Sequence, residues 1–226
     1  MPVRLSAGSG FAAIALCVAL FATLHAVQAD RVNPIRRTIS EYALGDDAWM
    51  FNAGVIGLAV GSLMVLHALV GARLLGRYST GSMALLLWVA TLLMVVAFEK
   101  TNWSIGPSVS GYIHRYSSLA AFIALPVAAL ALGRRWRRDP QFGRYAAWTR
   151  ALGWASLGWL STIFLGVFLR PLTGVPWYQF VPLGLVERGL AATEVVAVVV
   201  MGAWAWRAAV TRISPSSREE APAPTG

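Results

Sequence analysis

Glu187 and Glu194 lie seven residues apart in an apolar run from Leu185 to Trp206, with Arg188 beside the first. That spacing puts the two carboxyls on one helical face, Glu194 about 10 Å deeper at roughly 1.5 Å per residue. An ionisable group so far inside an apolar helix is costly unless neutralised or paired, and reads by default as functional. The alternative is a neutral Glu bonded to a neighbouring helix's backbone or hydroxyl. His25 is its expected ionisable partner, with Arg188 and His114 above. Similar side chains recur at helix ends elsewhere: Arg36, Arg37, Ser40 and Glu41, then Glu99, then His114 with Arg115, then Arg170. Arg suits phosphate or carboxylate headgroups, while Glu and His suit proton transfer. With His25, Glu187, Arg188 and Glu194, these residues make a candidate polar pocket for a lipid-linked or amphiphilic ligand.

Apolar helices must position them. Of 226 residues 57% are hydrophobic and only 13% charged, with a mean hydropathy of +0.61. Soluble domains carry about 25% charged residues, so this composition excludes a fold built in water. Six stretches reach spanning length: residues 11–28, 49–70, 82–98, 113–133, 148–169 and 185–206. The expected fold is therefore all-α, a polytopic six-transmembrane-helix bundle forming one domain over residues 1–212. The Pro- and Ser-containing tail from Ile213 to Gly226 is expected to be disordered. Arg4 and Val27-Gln28-Ala29 also fit the ends of a cleavable secretory signal. Its single-Arg flank and long apolar run favour a retained helix; cleavage would leave five spans and remove His25.

The net charge of +9 does not read as nucleic-acid binding, because the arginines lie between apolar runs rather than on one soluble face. On one side of the membrane they would comprise Arg4, Arg73, Arg77, the cluster from Arg134 to Arg150, and Arg207, Arg212 and Arg218. That group outnumbers Arg31, Arg36, Arg37, Lys100, Arg115, Arg170 and Arg188 on the other. The bias places both termini in the cytoplasm and the candidate pocket outward, in the cell membrane. Trp49, Trp103, Trp177 and Tyr178 would line the outer boundary, and Trp136, Trp148, Trp204 and Trp206 the inner one. Cys17 is the sole cysteine, so no internal disulfide and no cysteine-based zinc site is possible. The three histidines lie far apart, and no metal is assigned.

Local patterns add detail. Thr38 and Glu41 have capping-box spacing and Gly45 suits a helix C-cap, predicting a helix of about one and a half turns at the interface. Asp46 or Asp47 would cap the second span. Gly57 and Gly61 form a small-xxx-small pair suited to close packing, within the chain or against a partner helix.

Three segments together are distinctive: Asn33-Pro34-Ile35-Arg36-Arg37-Thr38-Ile39-Ser40-Glu41-Tyr42-Ala43-Leu44-Gly45, Gly111-Tyr112-Ile113-His114-Arg115, and Gly184-Leu185-Val186-Glu187-Arg188. They resemble the bacterial membrane family called domain of unknown function 998, over almost the whole chain. The chain departs from that pattern at Glu99-Lys100-Thr101-Asn102, where the family favours an acidic residue after a Pro-Thr pair. The resemblance implies six spans with the first helix retained, and no established activity, catalytic residue or cofactor.

Three functions fit the residues. An outward pocket for an amphiphile, with or without catalysis, uses the polar helix ends, although no hydrolase, metalloprotease or phosphate-loop motif is present. A transporter needs polar groups along the whole path, yet polarity thins below Glu194 and only Pro126 interrupts a span. An accessory or structural membrane subunit would use the outer charges as ion pairs and the Gly57/Gly61 seam for packing. A cavity open at Arg188 and Glu194 favours the first; a sealed cluster favours the third.

Overall fold

The structure is a computed structural model that describes residues 2–102, 105–174 and 181–211. Apolar runs long enough to cross a bilayer satisfy their backbone polar groups internally by coiling into α-helices. Among the described residues there are six long α-helices: α1 (Val3–Val27), α2 (Ala48–Gly71), α3 (Thr80–Ala97), α4 (Val109–Arg135), α5 (Gly143–Thr173) and α6 (Leu183–Thr211). A 3-10 helix spans Ile39–Leu44 between α1 and α2. No strand occurs among the described residues. Each helix covers most or all of its apolar run, and most continue a few residues into polar flanks. Helix α4 continues through Pro126. Helices α1 to α5 are long and apolar enough to cross a membrane. Helix α6 has 29 residues and carries Glu187, Arg188 and Glu194.

Successive helices run antiparallel and pack as neighbours, and α6 returns against α1, closing the array. Helix α6 also touches α2, α4 and the 3-10 helix, so it is the most central element. Its inward stripe of Leu190, Glu194, Val198, Met201, Trp204 and Ala205 is fully buried. One end of the array gathers the α1–α2, α3–α4 and α5–α6 connections; this is the three-loop end. The α2–α3 and α4–α5 turns form the two-loop end.

Where lipid surrounds a protein, packing rather than water exclusion holds helices together, so small residues mark the closest contacts. Gly57 and Gly61 serve that purpose inside the chain. A Cβ on Gly57 would stand 3.2 Å from the Ala13 carbonyl; one on Gly61 would stand 2.8 Å from Ile14 and 2.9 Å from the Gly10 carbonyl. The seam is thus the α1–α2 contact. Hydroxyls within the helices mostly return to their own backbone: Thr23 donates to Ala19, Ser118 to His114, Ser161 to Gly158 and Thr193 to Gly189.

The capping expectations are corrected. Thr38 precedes the 3-10 helix but makes no side-chain cap, and Gly45 is extended rather than left-handed. Asp47 precedes α2 without capping it and instead accepts from Gln28 Nε2 at 3.1 Å. Tertiary partners took the groups that local capping needed. Trp103, Trp177, Tyr178 and the tail from Ile213 lie outside the described residues.

Gly61→Ala should cost about 1–3 kcal/mol by overpacking the α1–α2 seam. Gly158→Ala, where a Cβ meets nothing within 4 Å, should be neutral or stabilise by up to about 1 kcal/mol. Thermal unfolding of the detergent-solubilised variants, read side by side, checks the contrast.

Candidate functional site

The three-loop end is organised by Arg188, one turn into α6. Its Nε donates to His25 Nε2 at 2.8 Å. One terminal nitrogen donates to the carbonyls of Pro34 (2.9 Å), Arg37 (2.6 Å) and Gly184 (3.1 Å). The other reaches the Tyr42 hydroxyl at 3.2 Å, and the guanidinium carbon lies 5.7 Å from the Tyr42 ring centroid. A single planar fork thereby joins α1, the following loop, the 3-10 helix and α6. Every one of these acceptors is uncharged.

His25 is held for the same task. Its Nδ1 lies 2.8 Å from the Phe21 carbonyl, which can only accept, so Nδ1 carries the proton and Nε2 offers its lone pair to Arg188. The His25 and Tyr42 rings meet edge-on at 5.2 Å, and Tyr42 is buried.

The loop reaches Arg188 because Asn33 folds it and Gly184 admits it. Asn33 Oδ1 accepts from the Ile35 and Arg36 amides at 3.0 and 3.1 Å, an Asx turn. The Leu185 amide then donates to the Ile35 carbonyl at 3.1 Å. A Cβ on Gly184 would collide with the Arg37 carbonyl and come within 2.6 Å of the Pro34 carbonyl. Glu187 accepts the Ile39 amide at 2.7 Å, taking the start of the 3-10 helix that Thr38 would otherwise cap.

The α3–α4 connection locks on through Lys100, whose Nζ donates to Glu41 at 2.6 Å and to Thr38 Oγ1 at 2.7 Å. Thr38 Oγ1 lies 3.1 Å from Ser40 Oγ. The departure at Glu99–Asn102 thus supplies the partner of Glu41. His114, 4% exposed, donates from Nδ1 to the carbonyls of Val95 (3.0 Å) and Phe98 (2.9 Å), tying α4 to the end of α3. Its Nε2 has no partner among the described residues.

Of the residues expected in the pocket, His25, Ser40, Glu41, Glu187 and Arg188 are gathered into this network. Arg36, Arg37, Glu99, Arg115 and Arg170 are exposed. Arg37 and Glu99 take part through their carbonyls, Glu99 accepting from Ser110 Oγ at 3.0 Å. Glu194 is fully buried, and neither carboxyl oxygen has a partner among the described residues. His25, its expected partner, is engaged by Arg188 instead. Thr38 and Lys100 were not expected at the site, whereas Tyr42, inside the most distinctive segment and without a capping role, was expected to face a headgroup or the mouth of the bundle. Among the described residues, no three His, Cys, Asp or Glu side chains gather into a possible metal site.

Open space lies elsewhere. A groove of about 420 Å³ runs along α4 beside α3, lined by Thr91, Val109, Tyr112, Ile113, Tyr116, Ser117 and Ala120. None of the expected pocket residues lines it.

The distinctive segments are thus partners in space: 33–45 docks on 184–188, and His114 of the third fastens α4 to α3. A family model described as "Protein of unknown function (DUF998)" matches residues 11–205. The chain belongs to the DUF998 family. No curated protein and no solved structure matches it. In this DUF998 chain residues of segments 33–45 and 184–188 build an internal hydrogen-bonded clamp.

Arg188→Ala leaves three carbonyls, His25 and Tyr42 without their donor and should cost about 3 kcal/mol or more. Arg188→Lys, with a point charge in place of a planar fork, should recover less than half. A His25→Ala/Arg188→Ala double-mutant cycle by thermal unfolding should return a coupling of about 0.5–3 kcal/mol. Glu194→Met replaces an unpaired buried carboxyl with an apolar side chain of similar volume and should raise stability by about 1–3 kcal/mol in the same assay.

Proposed function

We propose that this DUF998 chain is a six-span protein of the cell membrane, with both termini cytoplasmic and the clamp outward, and that it acts as an accessory or structural membrane component rather than through a pocket at the clamp. The observation that carries this reading is the saturation of Arg188: its donors are spent on the chain's own carbonyls, His25 and Tyr42. A guanidinium waiting for a headgroup keeps its fork open. Lys100 is likewise paired with Glu41. The six-span count rests on α6 having 29 residues and lying against α1, α2, α4 and α5. The orientation rests on the arginine bias.

A second reading, favoured by the α3–α4 groove, keeps amphiphile binding but moves it away from Arg188. Tyr112, Tyr116 and Ser117 present hydroxyls there that have no hydrogen bond among the described residues. An acyl chain with a neutral polar linkage suits that lining.

Quantifying lipid and metal in the detergent-purified wild type, Arg188→Ala and Ala120→Trp separates the readings. Equal contents in all three, with Arg188→Ala merely less stable, support the accessory role. A stoichiometric ligand lost only in Arg188→Ala restores the clamp as a binding site; one lost only in Ala120→Trp assigns the groove. Arg36→Cys should react with a membrane-impermeant maleimide from outside intact cells and Arg137→Cys should not; the reverse pattern overturns the orientation.

A further inference from the structure

The two-loop end carries a cationic surface that the clamp does not use. Around the α4–α5 turn, Arg134 and Arg135 in the last turn of α4, Arg137 and Arg138 in the turn itself and Arg144 at the start of α5 are all exposed. Arg73 and Arg77 are exposed in the adjacent α2–α3 turn. Among the described residues none of these seven pairs with a carboxylate; the one ion pair is Lys100 with Glu41 at the opposite end. Asp139, the acid within the α4–α5 turn, directs Oδ1 to the Gln141 and Phe142 amides at 2.9 and 2.8 Å.

Charge runs usually sit on mobile loops, and this one is pinned. Trp136 Nε1 donates to the Leu74 carbonyl at 2.9 Å, tying the two basic turns together. The Trp136 ring packs edge-on against Phe142 (5.9 Å) and against the fully buried Trp204 (6.4 Å), on which Tyr145 stacks at 6.0 Å. With the turn already ordered, an anion binding there meets cations whose backbone is preorganised. Position decides which anion. Tyr78, 81% exposed with Arg77 5.8 Å from its ring, and Trp148, 62% exposed, flank the surface as an aromatic belt does at the headgroup level. At that depth the abundant anion is lipid phosphate, and guanidinium forks match phosphate geometry.

We propose that the two basic turns form one platform that binds the headgroups of anionic phospholipids. This requires only that the helices cross a bilayer and is independent of the accessory role proposed above. The full chain, purified in a neutral detergent at low salt, is titrated with phosphatidylglycerol or with phosphatidylcholine while its unfolding temperature is followed. Phosphatidylglycerol should raise that temperature by several degrees and phosphatidylcholine should not. The variant R134Q/R135Q/R137Q/R138Q should need at least about tenfold more phosphatidylglycerol, whereas R36Q/R37Q should respond like the wild type. About 0.5 M NaCl should abolish most of the wild-type shift by screening. Equal shifts with both lipids, a salt-insensitive shift, or an unchanged response in the fourfold variant overturns the proposal. So does displacement of the lipid by polyglutamate or an oligonucleotide, which would assign the surface to a macromolecular partner. The salt arm uses wild-type protein alone, so it decides even if the fourfold variant fails to fold.

Discussion

A guanidinium carries five N–H donors in a rigid plane, and at the start of α6 Arg188 distributes them over four parts of the chain. In a half-buried setting each bond to a backbone carbonyl removes an acceptor that would otherwise face a poorly hydrated interior. That is why one side chain can fasten four elements at once. The loop after α1 has no regular structure before Ile39; its carbonyls become available only because Asn33 turns it and Gly184 leaves space for it. Glu187 and Lys100 then secure the 3-10 helix from two sides. Removing the central cation would leave several neighbours unsatisfied at once, and so the network is cooperative rather than a set of independent bonds.

The spans obey a different constraint. Lipid offers helices no hydrophobic incentive to associate, so contact depends on fit. The α1–α2 seam meets that demand with glycines, and the hydroxyls of α1, α4, α5 and α6 mostly turn back onto their own carbonyls. Polar specificity is thereby concentrated at the two ends. At one it is directed inward and consumed; at the other, seven arginines on two tethered turns point outward. The same residue type acts as an internal brace at the first end and as a free charged surface at the second.

Four buried polar side chains stand outside this scheme among the described residues: Thr149, Trp204, and the two ionisable ones, Glu194 and His114. Glu194 has no partner for either carboxyl oxygen, and His114 leaves Nε2 unpaired while Nδ1 bridges two carbonyls. Natural proteins seldom bury polar atoms without partners, and both ionisable groups reduce stability where they stand. Neither lines the α3–α4 groove. Among the described residues no hydrogen bond offsets the burial of those atoms, which separates them from the polar groups of Arg188, Glu187 and Lys100.

Hydropathy and length alone determined the helical class and the approximate course of all six long helices, because apolar backbone in lipid has few ways to satisfy its own amides and carbonyls. The short helix near Ile39 was also legible from its sequence pattern. The partners of its polar groups were not: Thr38 and Glu41 have ideal capping spacing, yet Lys100, distant in sequence, claims both, and Glu187 takes the Ile39 amide. Likewise Arg188, Glu187 and His25 were recognisable as unusual, but whether they line an opening or seal one depends on how the loop at 33–37 lies over Gly184. Hydrogen-bond partners across 150 residues are selected by helix packing, and only the tertiary structure decides which donors and acceptors come within 3 Å.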